Sequence, residues 1–235
     1  SKRTKRFVAP LLILFSIAAS CSNKPIHTVE LMPAPEVYTD GTVDPFSGFD
    51  DPMHAPEFDM LYATSRKPDP SEDLFYSNER GFVLRLGRAE TELGPEGYTW
   101  KEARDISLLK NRTDKYPVKV SGVHEFGILN RTVTVFTPQD LIPEDPDAAA
   151  ACFAEAVNAK LEISEKKDVY IYVHGYKVVF SNPILISAEL WHFLGYDGVF
   201  VAFAWPSTPI KWAYLSDIET AEIAAQNLRI FLEFL

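Results

Sequence analysis

Two apolar runs in the second half of the chain form the strongest pattern in the sequence. The first, Val169 to Val173, consists of β-branched and aromatic residues and follows the charged residues Lys166, Lys167 and Asp168. That composition suits a pleated strand. The second, Val199 to Trp205, contains no charged residue and does not alternate between apolar and polar positions. Such a run is typical of a strand covered on both faces, as in a parallel sheet.

The segment between the two runs has the spacing of a helix. Apolar residues recur with helical periodicity from Pro183 to Gly195. Asn182 is a suitable N-cap, and a proline suits the first turn. The pattern therefore predicts a strand, a crossover helix and a parallel strand. Ligands collect at the carboxyl ends of strands in such sheets, and a His-Gly-Tyr sequence at 174–176 follows the first strand.

The first half of the chain predicts strands with no helices between them. The stronger candidates are Phe58 to Ser65 and Gly81 to Leu93, and the weaker ones are Val118 to Val123 and Thr132 to Phe136. Consecutive strands favour an antiparallel beginning to the sheet. The predicted fold class is therefore α/β, with antiparallel strands first and the parallel strand–helix–strand unit after them.

Two further helices are predicted. One opens at Asp145 and Pro146 and places apolar residues at every fourth position, and Cys152 within it is expected to be a buried structural thiol rather than a nucleophile. The other runs from Leu215 to Leu235. Its expected apolar face comprises Ile218, Ala221, Ala225, Leu228 and Leu232.

Several stretches together resemble a known superfamily. They are Val169 to Tyr176, Phe200 to Ser207 with the helix after it, and the upstream stretches Met60 to Arg66 and Phe75 to Gly87. This ordered set is similar to the alpha/beta hydrolase superfamily, and within it to a branch of bacterial esterase- or lipase-like proteins with a strand ending in His-Gly-Tyr and a later Trp-Pro-Ser. The resemblance implies that residues 57–235 are the N-terminal portion of a hydrolase domain, with a sheet that stops before the nucleophile elbow.

The resemblance also implies a role for the residues after Val173. In hydrolases of this fold, a main-chain N–H of the loop after the third strand forms half of the oxyanion hole. Here that donor is the N–H of Tyr176, and Gly175 lets the main chain turn sharply and approach a substrate oxygen. Lys177 stands where relatives usually have asparagine. His174 is expected to support the loop, because the catalytic histidine comes last in this fold's triad.

The nucleophile is expected elsewhere. Neither Ser181 nor Ser207 lies in a Gly-x-Ser-x-Gly elbow, so the serine, the acid and the histidine are expected beyond Leu235, and residues 1–235 alone are expected to be inactive. Trp205 and Ser207 end a strand at the same edge of the sheet as His174. They either line the substrate pocket or simply pack.

The N-terminus resembles a bacterial lipoprotein signal. Basic residues precede an apolar run from Phe7 to Ala19, and small residues lead to Cys21. The resemblance implies acylation of Cys21, a signal over residues 1–21, and a membrane-anchored protein of the bacterial cell envelope. An ordinary cleaved signal and an uncleaved anchor are the alternatives. The proline-rich segment 22–56 is expected to form an extended tether.

Composition excludes several functions. A formal net charge of −10 argues against binding nucleic acid through bulk charge. No nucleotide-binding motif occurs, so no cofactor is expected. Glu189 and His192 could face one way on a helix, but no metal-site motif accompanies them, and no metal is expected. The predicted function is hydrolysis of a small-molecule or lipid ester, and the alternative is a non-catalytic, membrane-tethered binding or structural module.

Overall fold

The computed structural model describes residues 28–47, 57–70, 75–94, 97, 99–207 and 214–235, with the main chain only at 57–58 and 214–217. The strands are β1 (Thr28–Glu30), β2 (Glu57–Pro68), β3 (Tyr76–Leu93), β4 (Pro117–Ile128), β5 (Val169–Val173) and β6 (Val199–Ala204). The helices are α1 (Glu36–Thr39), α2 (Trp100–Ser107), α3 (Ala148–Ile163), α4 (Ser181–Phe193) and α5 (Tyr214–Phe234). Two 3₁₀ turns, Asn130–Thr132 and Gln139–Leu141, lie between β4 and α3.

The strands form one mixed sheet in the order β1-β4-β3-β2-β6-β5. β5 and β6 are parallel neighbours, with Val169 opposite Val199 and Val173 opposite Phe203. β6 is also parallel to β2, whereas β2, β3 and β4 pair antiparallel. The structure therefore confirms the predicted α/β fold, including the antiparallel beginning and the parallel strand–helix–strand unit. Within the described ranges, β5 is hydrogen-bonded to a neighbour along one edge only.

Helices cover both faces of the sheet. Alternate residues of β6 enter different cores, because successive side chains of a strand point to opposite faces. Phe200 and Ala202 pack with α4 and α2, and Val201 and Phe203 pack with α3 and α5. All six residues of β6 are buried, as its unbroken apolar sequence predicts. Each large apolar side chain buried in this way stabilises the fold by roughly 1.5–3 kcal/mol.

The predicted helices are present. The absence of helices between the early strands was predicted wrongly, because α2 lies between β3 and β4, and two details of the predicted helices also differ. α5 buries Ala224 and Phe231, with Ala221 and Leu228 partly buried. Three residues assigned to its apolar face, Ile218, Ala225 and Leu232, are exposed, so the buried face is rotated relative to the prediction. The prediction for Cys152 was also wrong, because this residue lies on the exposed side of α3, next to the buried Phe153.

Residues 132–136 form no strand. Thr132 ends a 3₁₀ turn, and its hydroxyl donates to Leu129 O and accepts from Leu84 N. Thr134 and Thr137 close the next turn through their hydroxyls. The β-branched threonines suggested a strand, but their hydroxyl groups bind the main chain in turns.

Residues 28–47, hereafter the strap, pack on the domain. β1 pairs with β4, and Leu31, Ala34 and Phe46 are buried in the core that contains α4. The description of an extended tether therefore does not hold for the strap, and residues 22–27 and 48–56 lie outside the described residues. The sequence does not reveal this packing because the partners of the strap are distant along the chain, as with Tyr38, whose hydroxyl donates to Phe193 O across 155 residues.

None of the helices in the described ranges combines the length and the apolar character that a membrane crossing requires.

Candidate functional site

The segment 174–178, hereafter the turn, leaves the carboxyl end of β5. The β5–β6 ladder ends at Val173 and Phe203, so the turn starts where the hydrogen-bonded register stops. His174 is buried, whereas Gly175, Tyr176 and Lys177 are exposed, and Tyr176 retains 60% of its accessible surface. The turn is therefore anchored at its ends and open to solvent in the middle.

His174 anchors the first end of the turn to the segment after β6. Its Nδ1 lies 2.6 Å from Gly175 O and its Nε2 lies 3.0 Å from Trp205 O. The Trp205 indole donates from Nε1 to His174 O at 2.7 Å, and the two rings stack 5.1 Å apart. Burial lowers the pKa of His174 to about 4, and the Arg66 guanidinium acts in the same direction. The imidazole is therefore neutral near pH 7, and its single N–H donates to one of these two main-chain oxygens.

Val178 anchors the other end. Its N–H donates to Ser207 Oγ, and its carbonyl oxygen accepts from the same hydroxyl, both at 3.0 Å. The Arg66 guanidinium donates from Nη2 to this carbonyl at 2.7 Å. Two residues after Val178, Phe180 packs in an aromatic cluster with Tyr62 and Tyr76 and begins α4. The turn thus joins β2, the segment after β6 and α4.

Trp205 and Ser207, the two residues that could have lined a pocket, are both buried. Trp205 retains 7% of its accessible surface and Ser207 none. Their polar atoms bind the main chain of the turn at His174 and Val178. In the structure they support the turn rather than present a surface to a ligand.

The sharp bend of the main chain was predicted at Gly175 but lies at another residue of the turn. Gly175 does not have a positive φ, and a Cβ placed there would meet no atom within 4 Å. The left-handed residue is Lys177, with φ of 65°. A non-glycine residue held in this region stores strain of about 1–3 kcal/mol, which the surrounding contacts must offset. The sharp bend is therefore at 177, and the space in front of Gly175 is open.

The aromatic cluster next to the turn contains a buried polar chain. The Tyr76 hydroxyl donates to Glu125, so the Tyr62 hydroxyl, 3.0 Å away, donates to Tyr76. Arg85 pairs with Glu125 at 2.5 Å. Burial raises the pKa of both tyrosines, which remain protonated at neutral pH. This chain connects β2, β3 and β4, and its two tyrosine rings contact Phe180, two residues beyond the turn.

A serine–histidine pair occurs elsewhere, in the core beneath α4. His192 Nε2 lies 2.6 Å from Ser107 Oγ, and its Nδ1 contacts the Tyr196 hydroxyl. Ser107 donates its own proton to Ala103 O, so His192 donates through Nε2 and accepts through Nδ1. Burial lowers the pKa of His192 to about 3, and neither Ser107 nor His192 is accessible. This pair is therefore part of the packing of α2 against α4.

Glu189 and His192 do not face a common ligand. The buried Glu189 carboxylate accepts from Met32 N at 2.6 Å, and burial raises its pKa to about 7 against the opposing effects of this hydrogen bond and of Arg112. His192 is engaged with Ser107 and Tyr196. Over the part of the chain that the structure describes, no three histidine, cysteine or acidic side chains are grouped so that they could hold a metal ion.

The sequence did not single out Arg66 for a role in the turn. It is fully buried and reaches the turn from β2. The available signal was a charged residue at the end of an apolar strand, Met60 to Ser65, where a buried charge requires specific partners. Cys21, the expected lipidation site, lies outside the described residues.

Comparison with known protein families matches the second part of the chain. Residues 149–235, from α3 through the turn to α5, match a family described as alpha/beta hydrolase of unknown function (DUF900). This confirms the superfamily resemblance found in the sequence and is consistent with a hydrolase. No curated protein and no solved structure matches the chain.

Proposed function

Because residues 149–235 match a family described as alpha/beta hydrolases, we propose that the full-length protein is a serine-type hydrolase of carboxylic esters at the bacterial cell envelope. The observation that carries the proposal is the turn, which is fixed at His174 and Val178 and exposed between them at the carboxyl end of a parallel strand. Ligands of open α/β sheets bind at this position.

In this proposal the main-chain N–H of Tyr176 stabilises the oxyanion of the tetrahedral intermediate. A donor of this kind is effective because it is already oriented when the negative charge develops. The anchoring of the turn by Trp205, Ser207 and Arg66 supports such preorganisation. In other enzymes the loss of one oxyanion donor slows the reaction by about a hundred- to a thousand-fold.

The nucleophile in this proposal lies outside the described residues. Ser107, Ser181 and Ser207 are fully buried, and the first and last of these bind neighbouring main-chain or histidine groups. We place the serine after Leu235, on a strand that pairs with the open edge of β5, followed by the acid and the histidine. The part of the protein described here would supply the oxyanion loop.

The envelope location rests on the N-terminal sequence. Acylation of Cys21 would anchor the protein, and the substrate would be a small-molecule or lipid ester. Metabolic labelling with an alkyne fatty acid tests this part separately. We expect labelling of the wild-type protein and none of Cys21→Ser, and a labelled Cys21→Ser variant would contradict the anchor.

A fluorophosphonate probe tests the serine chemistry. We expect it to label the full-length protein at one serine C-terminal to residue 235, and to leave a protein that comprises residues 1–235 unlabelled. Labelling of the shorter protein would show that the nucleophile has been misplaced. Complete absence of labelling in folded full-length protein would instead favour the alternative, a tethered binding or structural module.

Two substitutions at one position test the oxyanion donor. Tyr176→Ala keeps the N–H and should reduce ester hydrolysis by the full-length enzyme only modestly, whereas Tyr176→Pro removes the N–H and should nearly abolish it. Circular dichroism and thermal unfolding verify that both variants fold. Equal rates for the two folded variants would contradict the assignment of Tyr176.

A further inference from the structure

We propose that Arg66 is a positioning residue that fixes the main-chain path of the turn and thereby the direction of the Tyr176 N–H. Its catalytic consequence rests on the proposed function, but its structural basis does not. Three observations support the proposal. They are the hydrogen-bond partners of the guanidinium, the irregular register of β2 at this residue, and the two donors that bind Val178 O.

The Arg66 guanidinium bridges two parts of the fold. Nη2 donates to Val178 O at 2.7 Å, while Nη1 donates to Asn78 Oδ1 at 2.6 Å and lies 3.4 Å from Ser77 O. Ser77 and Asn78 belong to β3, which is paired with β2. Because the guanidinium is planar and its donors have a fixed geometry, holding Nη1 on β3 also fixes the direction in which Nη2 points.

The main chain of β2 aims Arg66 at the turn. The register between β2 and β3 shifts on both sides of this residue, between Thr64 and Arg66 and again between Arg66 and Pro68. Irregularities of this kind redirect a side chain relative to a regular strand. The Thr64 hydroxyl accepts from Arg66 N at 3.2 Å and donates to Ala204 O at 2.6 Å, which ties this point of β2 to the end of β6.

Val178 O receives two hydrogen bonds, one from Arg66 and one from Ser207 Oγ. A carbonyl oxygen has two lone pairs, so both acceptor sites of this peptide group are occupied. The Val178 N–H is held by the same serine hydroxyl. The peptide groups on either side of Val178 are therefore fixed immediately after the left-handed Lys177 and two residues after Tyr176. Removal of the Arg66 bond leaves Ser207 as the remaining support of that carbonyl.

Two variants of the full-length protein separate the geometry of Arg66 from its charge. Arg66→Lys keeps a positive charge but cannot bind Asn78 and Val178 together, and Arg66→Met removes the charge as well. Hydrogen exchange followed by NMR measures the Val178 amide, which donates to Ser207 Oγ. We expect exchange there to accelerate about tenfold in Arg66→Lys, as for the loss of one hydrogen bond of ordinary strength. Exchange in β6 should stay unchanged, which shows that the sheet is intact.

The His174 ring gives a second readout. The Arg66 charge helps to hold the pKa of His174 low, so NMR titration should show a higher His174 pKa in Arg66→Met and a nearly unchanged one in Arg66→Lys. We therefore expect Arg66→Lys to keep the wild-type pKa of His174 but to lose the wild-type protection of the turn. An arginine that served only to fill space in the core would not separate these two measurements. Lys67→Met, at the exposed neighbour, should change neither measurement.

If Arg66→Met does not fold, Asn78→Ala provides a second test of the role of Arg66. This variant leaves the arginine in place but removes the group that orients Nη1. We expect exchange of the Val178 amide to accelerate about threefold, since a weakened hydrogen bond loses part of a roughly tenfold effect. Wild-type protection of the turn in both Arg66→Lys and Asn78→Ala would overturn the proposal.

Activity of the full-length enzyme separates this inference from the proposed function. Arg66→Lys should lower kcat for an ester substrate while KM stays close to wild-type. An unchanged kcat in an active enzyme would refute the catalytic consequence for Arg66. If the wild-type protein hydrolyses no ester, the proposed function fails, yet the exchange and titration measurements still decide whether Arg66 positions the turn.

Discussion

The indole of Trp205 lies parallel to the imidazole of His174, with an angle of 2° between the ring planes, and donates a 2.7 Å hydrogen bond to the carbonyl oxygen of the same histidine. Stacking and hydrogen bonding thus act on one residue at once. His174 directly follows the last residue of β5, so this contact holds the main chain at the point where it leaves the sheet.

Trp205→Phe should loosen the turn without unfolding the protein. Phenylalanine keeps an aromatic ring but removes the indole N–H, which leaves His174 O with one donor fewer, at a cost of about 1–3 kcal/mol. Chemical denaturation measures this cost, and hydrogen exchange of the Val178 amide reports whether the turn is loosened. Trp191→Phe is the matched control, because it removes an indole bond to Gly198 O instead. If the control accelerates exchange of the turn equally, the Trp205 contact is not the specific anchor.

Glu189 should make stability decrease as pH rises. Burial raises its pKa from 4.5 to about 7 in the folded chain, so its stabilising contribution is complete below pH 4.5 and is lost as pH rises through about 7. Glu189→Gln should remove this dependence, which we expect to be on the order of 1–3 kcal/mol. Urea denaturation of wild-type and variant from pH 5 to pH 8 measures it.

The difference between wild-type and Glu189→Gln is the informative quantity, because two histidines act in the opposite direction. The pKa values of His174 and His192 are lowered, so their contributions are present above pH 6.5 and are lost as pH falls towards 4 and 3. Exposed Glu165→Gln is the control and should show the pH dependence of the wild-type protein. An identical result for Glu189→Gln would contradict the prediction.

The strap should be sensitive to a methyl group at position 195. Gly195 has φ of 72°, and a Cβ there would collide with Pro45 O of the strap. Gly41 has φ of 75° and open space around it. Gly41→Ala should therefore lower the free energy of unfolding only through main-chain strain, by roughly 1–2 kcal/mol. Gly195→Ala should lower it by more and expose the strap to proteolysis. Equal losses and equal cleavage would indicate that the strap does not press on Gly195.

Ser107→Ala should affect stability and not reactivity. The hydroxyl is buried between His192 and Ala103 O, and its removal leaves a buried imidazole N–H unsatisfied, at a cost of about 1–3 kcal/mol. Thermal unfolding measures the loss, and Ser121→Ala, at an exposed serine of β4, should change it little. Mass spectrometry after fluorophosphonate treatment should find no adduct on Ser107, and an adduct there would contradict its assignment to packing.

Cys152 should react rapidly with a thiol reagent in the folded protein, because it is exposed on α3. In a Cys21→Ser variant, one thiol per chain should titrate with dithionitrobenzoate without denaturant. Reaction that requires urea would restore the earlier expectation of a buried thiol. Cys152→Ser should abolish the signal with little change in unfolding temperature.

Local patterns revealed the part of the fold that depends on local interactions. β5, α4 and β6 follow one another along the chain, and each has a local apolar pattern. The parallel strand–helix–strand unit could therefore be predicted from the sequence. The capping pair of Thr99 and Glu102, which starts α2, was a readable signal that the prediction missed. In α5, apolar residues surround most of the helix, so their spacing alone did not specify which face the sheet would bury.

The supports of the turn depend on contacts between distant residues. Arg66 is 112 residues from Val178, and Ser207 is 29 residues from it. Neither separation produces a periodic signal. The packing of the strap has the same origin, since Glu189 binds Met32 across 157 residues. The position of the turn was therefore predictable from strand endings, while the groups that hold it became visible only in the folded chain.

The edge of β5 that faces away from β6 affects the solubility of the isolated chain at high concentration. Among the described strands only β6 occupies a side of β5, and Val169 and Val173 are exposed there. Unpaired main-chain N–H and C=O groups at the edge of a sheet can form hydrogen bonds with extended segments of other chains. Lys166, Lys167 and Asp168 charge one end of the strand, but Val173 at the other end has no such protection. We expect solutions of residues 1–235 to gelate or precipitate from that end, and a short β-strand peptide that caps it to keep them clear.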